Sequence, residues 1–139
     1  MSFGFEDEND VIDAAVDNTV NAGKLIIAAA SNNGSLSGRA RPARKDGVIC
    51  IHATDGKGNK GGMNPSPQSK TDNFATIGVA VPCKWKGKDM WKSGTSFAVP
   101  IAAGFAAGSR GIDAISRLGS SRFCDKNRAR RSFFGRWQR

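Results

Sequence analysis

Hydrophobic spacing over the first thirty residues predicts a helix followed by a buried strand. Between residues 9 and 22, apolar side chains recur every three or four positions, and Gly23 follows as a stop signal. This spacing predicts an amphipathic helix over about residues 9–22. The next apolar run, residues 25–30, is continuous, as in a strand that a sheet buries on both faces. A helix followed by a buried strand is half of a parallel α/β repeat.

The middle of the chain adds a second buried strand between two polar loops. Residues 48–51 are continuously apolar, and they separate a polar stretch at 31–46 from a loop rich in Gly, Asn, Pro and Ser at 55–73. The 17 glycines of the chain are not periodic, which indicates tight turns rather than a repeat. We therefore expect an α/β fold with a mostly parallel sheet and many loops, not a helical bundle.

Two short strands and a helix of small residues complete the patterned part of the chain. Residues 74–81 and 89–92 favour strands, joined by a turn around residues 86–88. Residues 96–107 are mostly small and predict a helix, with Pro100 near its first turns, where proline is best tolerated.

The basic charge is concentrated at the C-terminus. Of the net charge of +9, residues 109–139 carry +7 through nine Arg or Lys and two Asp, whereas residues 1–108 carry +2. Apolar periodicity also weakens there, so the sequence predicts a domain at 1–108 and a basic, disordered or unrelated tail at 109–139. An alternative is that the tail is a nucleic-acid-binding arm, in which bases stack on aromatic rings beside arginines. The aromatic residues of the tail are Phe123, Phe133, Phe134 and Trp137.

Three other classes of protein are not indicated. The chain has three cysteines, which are far apart in the sequence: Cys50, Cys83 and Cys124. This odd number and wide spacing predict neither a disulfide framework nor a zinc site, and we expect no metal or cofactor. No apolar run approaches the length of a membrane span, and the acidic N-terminus is unlike a signal peptide. We expect a soluble chain with no visible export signal, and its compartment is unknown.

Residues 94–100 carry the clearest candidate chemistry. Their first residue, a glycine, permits a tight turn into the predicted helix, which places Ser96 at a helix N-terminus. Free backbone N–H groups and the helix dipole favour negative charge at that end. The same residues are also compatible with a Ser/Thr N-cap on a core helix.

Two segments resemble the catalytic segments of subtilases, the subtilisin-like serine proteases. Residues 94–100, Gly-Thr-Ser-Phe-Ala-Val-Pro, resemble the Gly-Thr-Ser-x-Ala-x-Pro segment that holds the nucleophilic serine. Residues 28–34 resemble the Ala-Ala-Ala-Gly-Asn-x-Gly segment whose asparagine is an oxyanion donor, although Ser31 replaces the usual glycine. The resemblance implies that Ser96 is the nucleophile and that Asn32 is the donor.

Three further segments fit the same family in the same order. Residues 2–4 resemble a Ser-Leu-Gly strand that pairs with substrate, residues 42–51 a Pro-Ala segment with a Val-Ile-x-Val strand, and residues 72–75 an Asn-Phe-Ser segment. The resemblance covers residues 2 to about 107 and is closest to subtilases of filamentous fungi. It implies a set of substrate-binding residues, namely Ser2, Phe3, Gly4 and Ala30.

Subtilases use a catalytic triad of Asp, His and Ser, and the part of the sequence that should supply the Asp and the His is absent. In subtilases the catalytic Asp and His precede the oxyanion asparagine. The 31 residues before Asn32 contain no histidine and no Asp-Ser/Thr-Gly or His-Gly-Thr segment. His52, the only histidine, is interpreted as structural, and Asp55 as a turn residue. The sequence is therefore interpreted as a truncated gene model, a fragment or a degenerate paralogue.

The resemblance also implies a fold, an ancestral activity and partners. The fold would be a partial subtilisin-like three-layer α/β fold whose N-terminal half is missing. The ancestral activity would be a serine endopeptidase that cleaves peptide bonds through an acyl-enzyme. The expected partners are a polypeptide substrate and the missing upstream half of the domain, and nucleic acid is not favoured. Without a base, Ser96 keeps an unperturbed hydroxyl, so we expect the chain alone to be inactive.

Overall fold

The computed structural model describes residues 1–68 and 73–117, and for residues 110–117 the backbone alone. These ranges contain two helices and five strands. In chain order they are α1 (Asp10–Asn21), β1 (Ile26–Ala29), β2 (Val48–Thr54), β3 (Phe74–Ile77), β4 (Val81–Trp85), β5 (Lys88–Lys92) and α2 (Thr95–Arg117).

Helix α1 begins where Asn9 caps it. The Asn9 side chain accepts a hydrogen bond from Ile12 N at 3.1 Å, and two aspartates in the first turn lie at the positive end of the helix dipole. The helix ends at Asn21, and Gly23 follows with φ of 73°. These bounds lie within one residue of the predicted 9–22 at each end.

Ion pairs attach α1 to the long loop at 31–46. Val16 is the buried residue of the helix. At the surface, the Arg41 guanidinium pairs with both Glu8 and Asp13. The loop is therefore attached to α1 by charge.

Strands β1, β2 and β3 form a parallel sheet in that order. Ile26 pairs with Val48 at the start of β1, and Ile51 pairs with Phe74 at the start of β3. On the other side of β1, Ala29 N donates a hydrogen bond to the Met1 carbonyl oxygen at 3.0 Å. The N-terminal segment therefore lies along the outer edge of β1.

The two faces of the sheet pack differently. Helix α2 covers one face, and the main core lies between them; its β2 and α2 members are Ile49, Ile51, Ala53, Ala98, Val99 and Ala102. Because side chains alternate along a strand, the intervening residues of β2 point to the opposite face. That face carries a smaller cluster of Ala28, Ala30, Ala43 and Cys50.

The predicted strand at residues 74–81 was wrong, because the segment contains the whole of β3, a turn and the first residue of β4. β3 ends at Ile77, where Gly78 N donates to the Thr54 carbonyl oxygen at 2.9 Å. Ala80 then has φ of 51°, which redirects the chain into β4. The apolar run conceals this turn because Ala80 is apolar although its backbone is not extended.

The hairpin and the second helix follow the sequence more closely. β4 and β5 are antiparallel; of the predicted turn at 86–88, Lys86 and Gly87 form the turn with φ of 49° and 78°, and Lys88 already belongs to β5. Helix α2 starts at Thr95 but continues to Arg117, beyond the predicted end at 107. No proline interrupts this extension, and its Ala, Ile and Arg residues are compatible with a helix. Residues 118–139 of the predicted tail lie outside the described residues.

Within residues 1–68 and 73–117, neither helix combines the length and hydrophobicity that crossing a lipid bilayer requires.

Candidate active site

The first turn of α2 is held in place by the backbone around it. Gly94 N donates to the Gly78 carbonyl oxygen at 2.8 Å, which joins the start of α2 to the end of β3. Phe97 N donates to the Gly94 carbonyl oxygen at 3.0 Å. Between them, Thr95 is fully buried and Ser96 is half-buried. A serine hydroxyl is thus presented at the edge of a fixed helix N-terminus.

Gly78 has no room for a side chain at this junction. A Cβ on Gly78 would lie 2.8 Å from Ala53 Cβ, 2.8 Å from Gly94 O and 3.0 Å from Ala98 Cβ. The strand end and the helix start therefore approach this closely only because residue 78 is glycine.

Asn32 contacts the same helix start although it is 63 residues away in the chain. Its Oδ1 accepts hydrogen bonds from Thr95 N at 2.8 Å and from Thr95 Oγ1 at 3.1 Å. Its Nδ2 lies beside Gly94, 3.6 Å from the position of a Cβ there. The Asn32 side chain is exposed, so its nitrogen is accessible to an incoming acceptor.

The Ser96 hydroxyl contacts the N-terminal segment. Ser96 Oγ donates to the Ser2 carbonyl oxygen at 2.6 Å. The Ser96 hydroxyl, the Asn32 amide and the Ser2 backbone thus meet around the first turn of α2. A carbonyl oxygen accepts this hydrogen bond, but it does not act as a general base towards the serine.

Phe3 and Gly4 extend the exposed surface next to Ser2. The Phe3 side chain is 56% exposed, and its ring meets the edge of the Phe5 ring at a centroid distance of 5.8 Å. A Cβ on Gly4 would lie 2.6 Å from Ala40 Cβ, so glycine allows this segment to lie close against the loop. The structure therefore brings Ser2, Phe3 and Gly4 to the surface beside Ser96.

Ala30 occupies a different position from the other predicted substrate-binding residues. It is fully buried, its N–H donates to the Ile51 carbonyl oxygen at 3.0 Å, and its own carbonyl oxygen accepts from Ala40 N at 2.6 Å. Its backbone groups are thus engaged within the protein. Substrate contact by Ala30 stays a prediction.

Ser31 adopts the backbone conformation of the glycine that it replaces. Its φ of 146° lies in a region that residues with a side chain rarely adopt. Ser31 Oγ accepts a hydrogen bond from Asn33 N at 3.2 Å. The turn that directs Asn32 towards Thr95 is therefore formed, with backbone strain at Ser31.

His52 is buried on the side of the sheet that faces away from α2. Its neighbours in β2, Ile51 and Ala53, belong to the core beneath α2, so strand alternation directs His52 to the opposite face. His52 Nδ1 lies 3.2 Å from the Phe74 carbonyl oxygen, and burial lowers the pKa of His52 to about 4. A neutral imidazole in this position is not placed to take the proton of Ser96.

Asp55 is a turn residue, as the sequence predicts. Its Oδ1 accepts from Lys57 N and Asn59 N, both at 2.8 Å. Hydrogen bonds from Asn59 lower the pKa of this carboxyl group. Across the described ranges, no group of three or more His, Cys, Asp and Glu side chains is arranged to hold a metal ion.

Sequence reasoning did not single out Thr95, which connects Asn32 to the helix. Threonine is a common hydrogen-bonding residue at helix starts, and this was the available signal. Nothing in the sequence shows that its partner is Asn32.

Comparison with known proteins decides which family these residues belong to. The sequence model of the subtilase family matches residues 1–111. The chain belongs to the subtilase family. This confirms the resemblance that residues 94–100 and 28–34 carry in the sequence.

Two curated relatives of this subtilase are proteases. It is 34% identical over 108 residues to the thermostable alkaline protease of Halalkalibacterium halodurans, covering 77% of this chain and 29% of that protein. It is 32% identical over 108 residues to the subtilisin-like protease 2 of Pseudogymnoascus destructans, covering 76% of this chain and 26% of that protein. The subtilase chain thus spans less than a third of the length of either relative.

A solved structure shows the same fold. The subtilase chain matches the prenylagaramide maturation protease PagA with a TM-score of 0.66 and 26% sequence identity, over 76% of this chain and 40% of that one. Together with the parallel sheet, this match confirms the predicted partial subtilisin-like α/β fold.

Proposed function

We propose that this subtilase chain supplies the nucleophile and the oxyanion donor of a serine endopeptidase site. Ser96 Oγ attacks the carbonyl carbon of a peptide bond, the amine of the following residue leaves, and water hydrolyses the resulting acyl-enzyme. Asn32 Nδ2 donates a hydrogen bond to the oxygen on which negative charge develops. The residues that hold the substrate are Ser2, Phe3 and Gly4 at the surface, with Ala30 buried behind them.

The observation that carries this proposal is the pair of hydrogen bonds from Thr95 to Asn32 Oδ1. An amide whose oxygen is engaged in this way keeps its N–H groups for a ligand. A donor that is fixed before the substrate arrives needs no reorganisation while charge develops. The positive end of the α2 dipole favours the same negative charge.

In this proposal the catalytic base comes from the upstream half of a subtilase domain. Among the described residues, the acceptor of the Ser96 hydroxyl is a backbone carbonyl, and His52 faces the other side of the sheet. Phe105 of α2 is 55% exposed, and the N-terminal segment, whose Met1 carbonyl oxygen accepts from Ala29 N, covers the outer edge of β1. A complementary half of the domain would therefore pack on the exposed apolar part of α2 and on the outer side of the N-terminal segment.

Labelling with a serine-directed fluorophosphonate tests the assignment of the nucleophile. We expect no labelling of the chain alone, and labelling when the upstream part of the catalytic domain of the H. halodurans relative is added as a separate polypeptide. Ser96→Ala should abolish that labelling, whereas the nearby Ser93→Ala should not. Labelling of the chain alone that Ser96→Ala abolishes would show that a base is present after all, and His52→Ala would then test whether His52 is that base.

Two substitutions at Asn32 separate its catalytic role from its structural role. Asn32→Asp keeps an oxygen for Thr95 but removes the amide donor, whereas Asn32→Ala removes both. In subtilisin, loss of such a donor lowers turnover by about 10²–10³, and we expect a loss of that order for both variants in the complemented site. Asn32→Ala alone should also lose about 1 kcal/mol of stability through the missing cap. If Asn32→Asp retains full turnover, the donor role is wrong.

A further inference from the structure

A basic, aromatic hairpin leads directly into the candidate active site. β4 and β5 pair only with each other among the described strands, and Ser93 and Gly94 alone connect β5 to α2. Trp85 and Trp91 are 53% and 69% exposed. The hairpin is therefore a surface element with two largely uncovered indole rings next to the start of α2.

One face of the hairpin is suited to apolar side chains. The strand register places Pro82 opposite Trp91 and, next to them, Lys84 opposite Asp89. Together with Cys83 and Met90, which lie between them along the two strands, these four residues line a shallow groove of about 440 Å³. A side chain lying in this groove would contact the indole and the proline ring, with the Lys84 ammonium beside it.

The other face is cationic. Trp85 lies opposite Lys88, and the Lys92 ammonium is 5.2 Å from the centroid of the Trp85 ring. Over the whole hairpin, four lysines and one aspartate give a net charge of +3. The lysines are Lys84, Lys86, Lys88 and Lys92, and the aspartate is Asp89.

The turn determines which backbone groups of the hairpin face outward. A two-residue turn such as the one at residues 86–87 closes on a hydrogen-bonded pair, here Trp85 and Lys88. In an antiparallel ladder the next pair, Lys84 and Asp89, is then not hydrogen-bonded across the strands. The N–H and C=O groups of that pair point away from the hairpin.

The two outer edges are not equivalent. On β5 the outward-facing residues are Asp89 and, two residues on, Trp91, and both have an N–H group. On β4 the residue paired with Trp91 is Pro82, which has no N–H group. The β5 edge therefore offers two N–H donors to a further strand, whereas at these two pairs the β4 edge offers only that of Lys84.

We propose that the outer edge of β5 binds an extended, acidic polypeptide segment by strand addition. The backbone of the segment pairs with Asp89 and Trp91, its apolar side chains lie on the Trp91 groove, and its carboxylates lie near the lysines. The proposal extends the proposed function, because β5 runs into Ser96 and the bound segment would be part of a substrate. The hairpin thus selects for acidic sequence near the bond to be cleaved.

Two other anionic partners fit this hairpin less well. Trp85 and Trp91 point to opposite faces, so a flat anionic membrane cannot cover both rings at once. A single nucleic-acid strand stacks on successive aromatic rings, whereas each face carries one indole. A polypeptide matches both the alternating N–H and C=O groups of the edge and the positive charge.

The first test measures the contribution of charge. The full chain carrying Ser96→Ala is titrated, at physiological salt, into a fluorescein-labelled peptide of alternating Glu and Val, and anisotropy gives the affinity. The same peptide with Gln in place of Glu should bind at least about fivefold more weakly. Lys84→Gln combined with Lys88→Gln should weaken binding of the Glu peptide about fivefold, as expected for two partly exposed ion pairs. A matched change on another loop, Lys57→Gln with Lys60→Gln, should leave it unchanged.

The second test separates the backbone edge from charge at a single position. Asp89→Ala removes a negative charge and keeps the outward N–H, so it should strengthen binding of the Glu peptide about twofold. Asp89→Pro removes the same charge together with that N–H. Its affinity for the Glu peptide should therefore be lower than that of the parent chain. The near-ultraviolet circular dichroism of the tryptophans checks that the hairpin is intact in both variants.

Several results would overturn the proposal. It fails if the Gln peptide binds as tightly as the Glu peptide, or if the Lys84 and Lys88 changes have no effect. It also fails if an oligothymidylate or phosphatidylserine-containing vesicles bind more tightly than the Glu peptide and lose that binding on Trp91→Ala. Because binding is read on a Ser96→Ala chain, this outcome is independent of the labelling test of the nucleophile.

Discussion

Ser31 stands where subtilases usually have glycine, and its backbone shows the consequence. A φ of 146° costs a residue with a side chain about 1–3 kcal/mol, whereas glycine adopts it readily. Ser31→Gly should therefore raise the free energy of unfolding by about 1 kcal/mol, since the greater freedom of glycine in the unfolded chain offsets part of the relief. Urea unfolding followed by circular dichroism measures the change.

Ser31→Ala is the matched control for this prediction. It keeps the Cβ and the strain, and it loses the hydrogen bond from Asn33 N to Ser31 Oγ. We expect it to be no more stable than the parent chain. A stability gain of equal size in both variants would show that strain at residue 31 is not the cause.

His52 makes stability depend on pH. Its pKa is about 4 in the folded chain, below the ordinary value of 6.5, because it is buried. Below pH 6.5 the unfolded chain therefore binds a proton that the folded chain does not, and the free energy of unfolding falls as the pH falls from 6.5 towards 4. The full loss would be about 3 kcal/mol, and above pH 6.5 this contribution is constant.

Denaturant unfolding at several pH values between 7 and 4 checks this dependence, with His52→Gln as the comparison. Glutamine does not titrate, so the variant should lack this part of the slope whatever its absolute stability. Equal slopes in the two proteins would mean that His52 is not the responsible group.

The sequence identified the chemistry-bearing side chains better than their contacts. Ser96 and Asn32 were predicted by residue type and by their surroundings in the chain, and both lie at the start of α2. The contact of Ser96 Oγ with the Ser2 carbonyl oxygen was not predicted, because a backbone acceptor leaves no signature in the side-chain sequence. The buried position of Ala30 behind this surface depends on backbone hydrogen bonds with Ile51 and Ala40, which leave no signal in the local sequence either.

At the level of secondary-structure elements, the junction of β3 and α2 depends on Gly78. Gly78→Ala would place a methyl group 2.8 Å from both Ala53 Cβ and the Gly94 carbonyl oxygen. We expect a loss of about 1–3 kcal/mol in the free energy of unfolding, since these neighbours are backbone or short side chains that cannot rotate away. Thermal and urea unfolding measure the loss.

Gly56→Ala is the control for the glycine junction. A Cβ there has open space around it. Its stability should change by less than about 0.5 kcal/mol, as for ordinary surface substitutions. If Gly78→Ala is as well tolerated as Gly56→Ala, the strand end and the helix start are not as closely packed as described.

Sequence pattern predicted the elements that local chemistry defines. The spacing of apolar residues and the following glycine predicted α1, and Lys86 with Gly87 predicted the turn of the hairpin. The division of residues 74–81 between two sheets was missed, because it is determined by the contact of Gly78 with α2, far away in the chain. The end of α2 was missed because the apolar pattern stops before the helix does.

At the level of the whole molecule, the basic tail stays a separate question from the subtilase domain. Residues 118–139 contain seven Arg or Lys and one Asp. We expect the full chain to bind single-stranded DNA weakly at low salt and to lose that binding at physiological salt, because the attraction would come from counterion release alone. A chain that ends at residue 117, where α2 ends, should not bind in either condition. Tight binding of the full chain that survives physiological salt would instead make the tail a nucleic-acid-binding arm.

The contacts that assemble the candidate site join distant parts of the chain. Ser96 and Ser2 are 94 residues apart, and Thr95 and Asn32 are 63 residues apart. Contacts between residues so far apart require the closure of long loops, which slows folding. The pairing of β2 with β3 and the hairpin involve shorter separations, so they can form earlier. The candidate active site is therefore expected to form late during refolding, after most of the circular dichroism signal of the helices and strands has recovered.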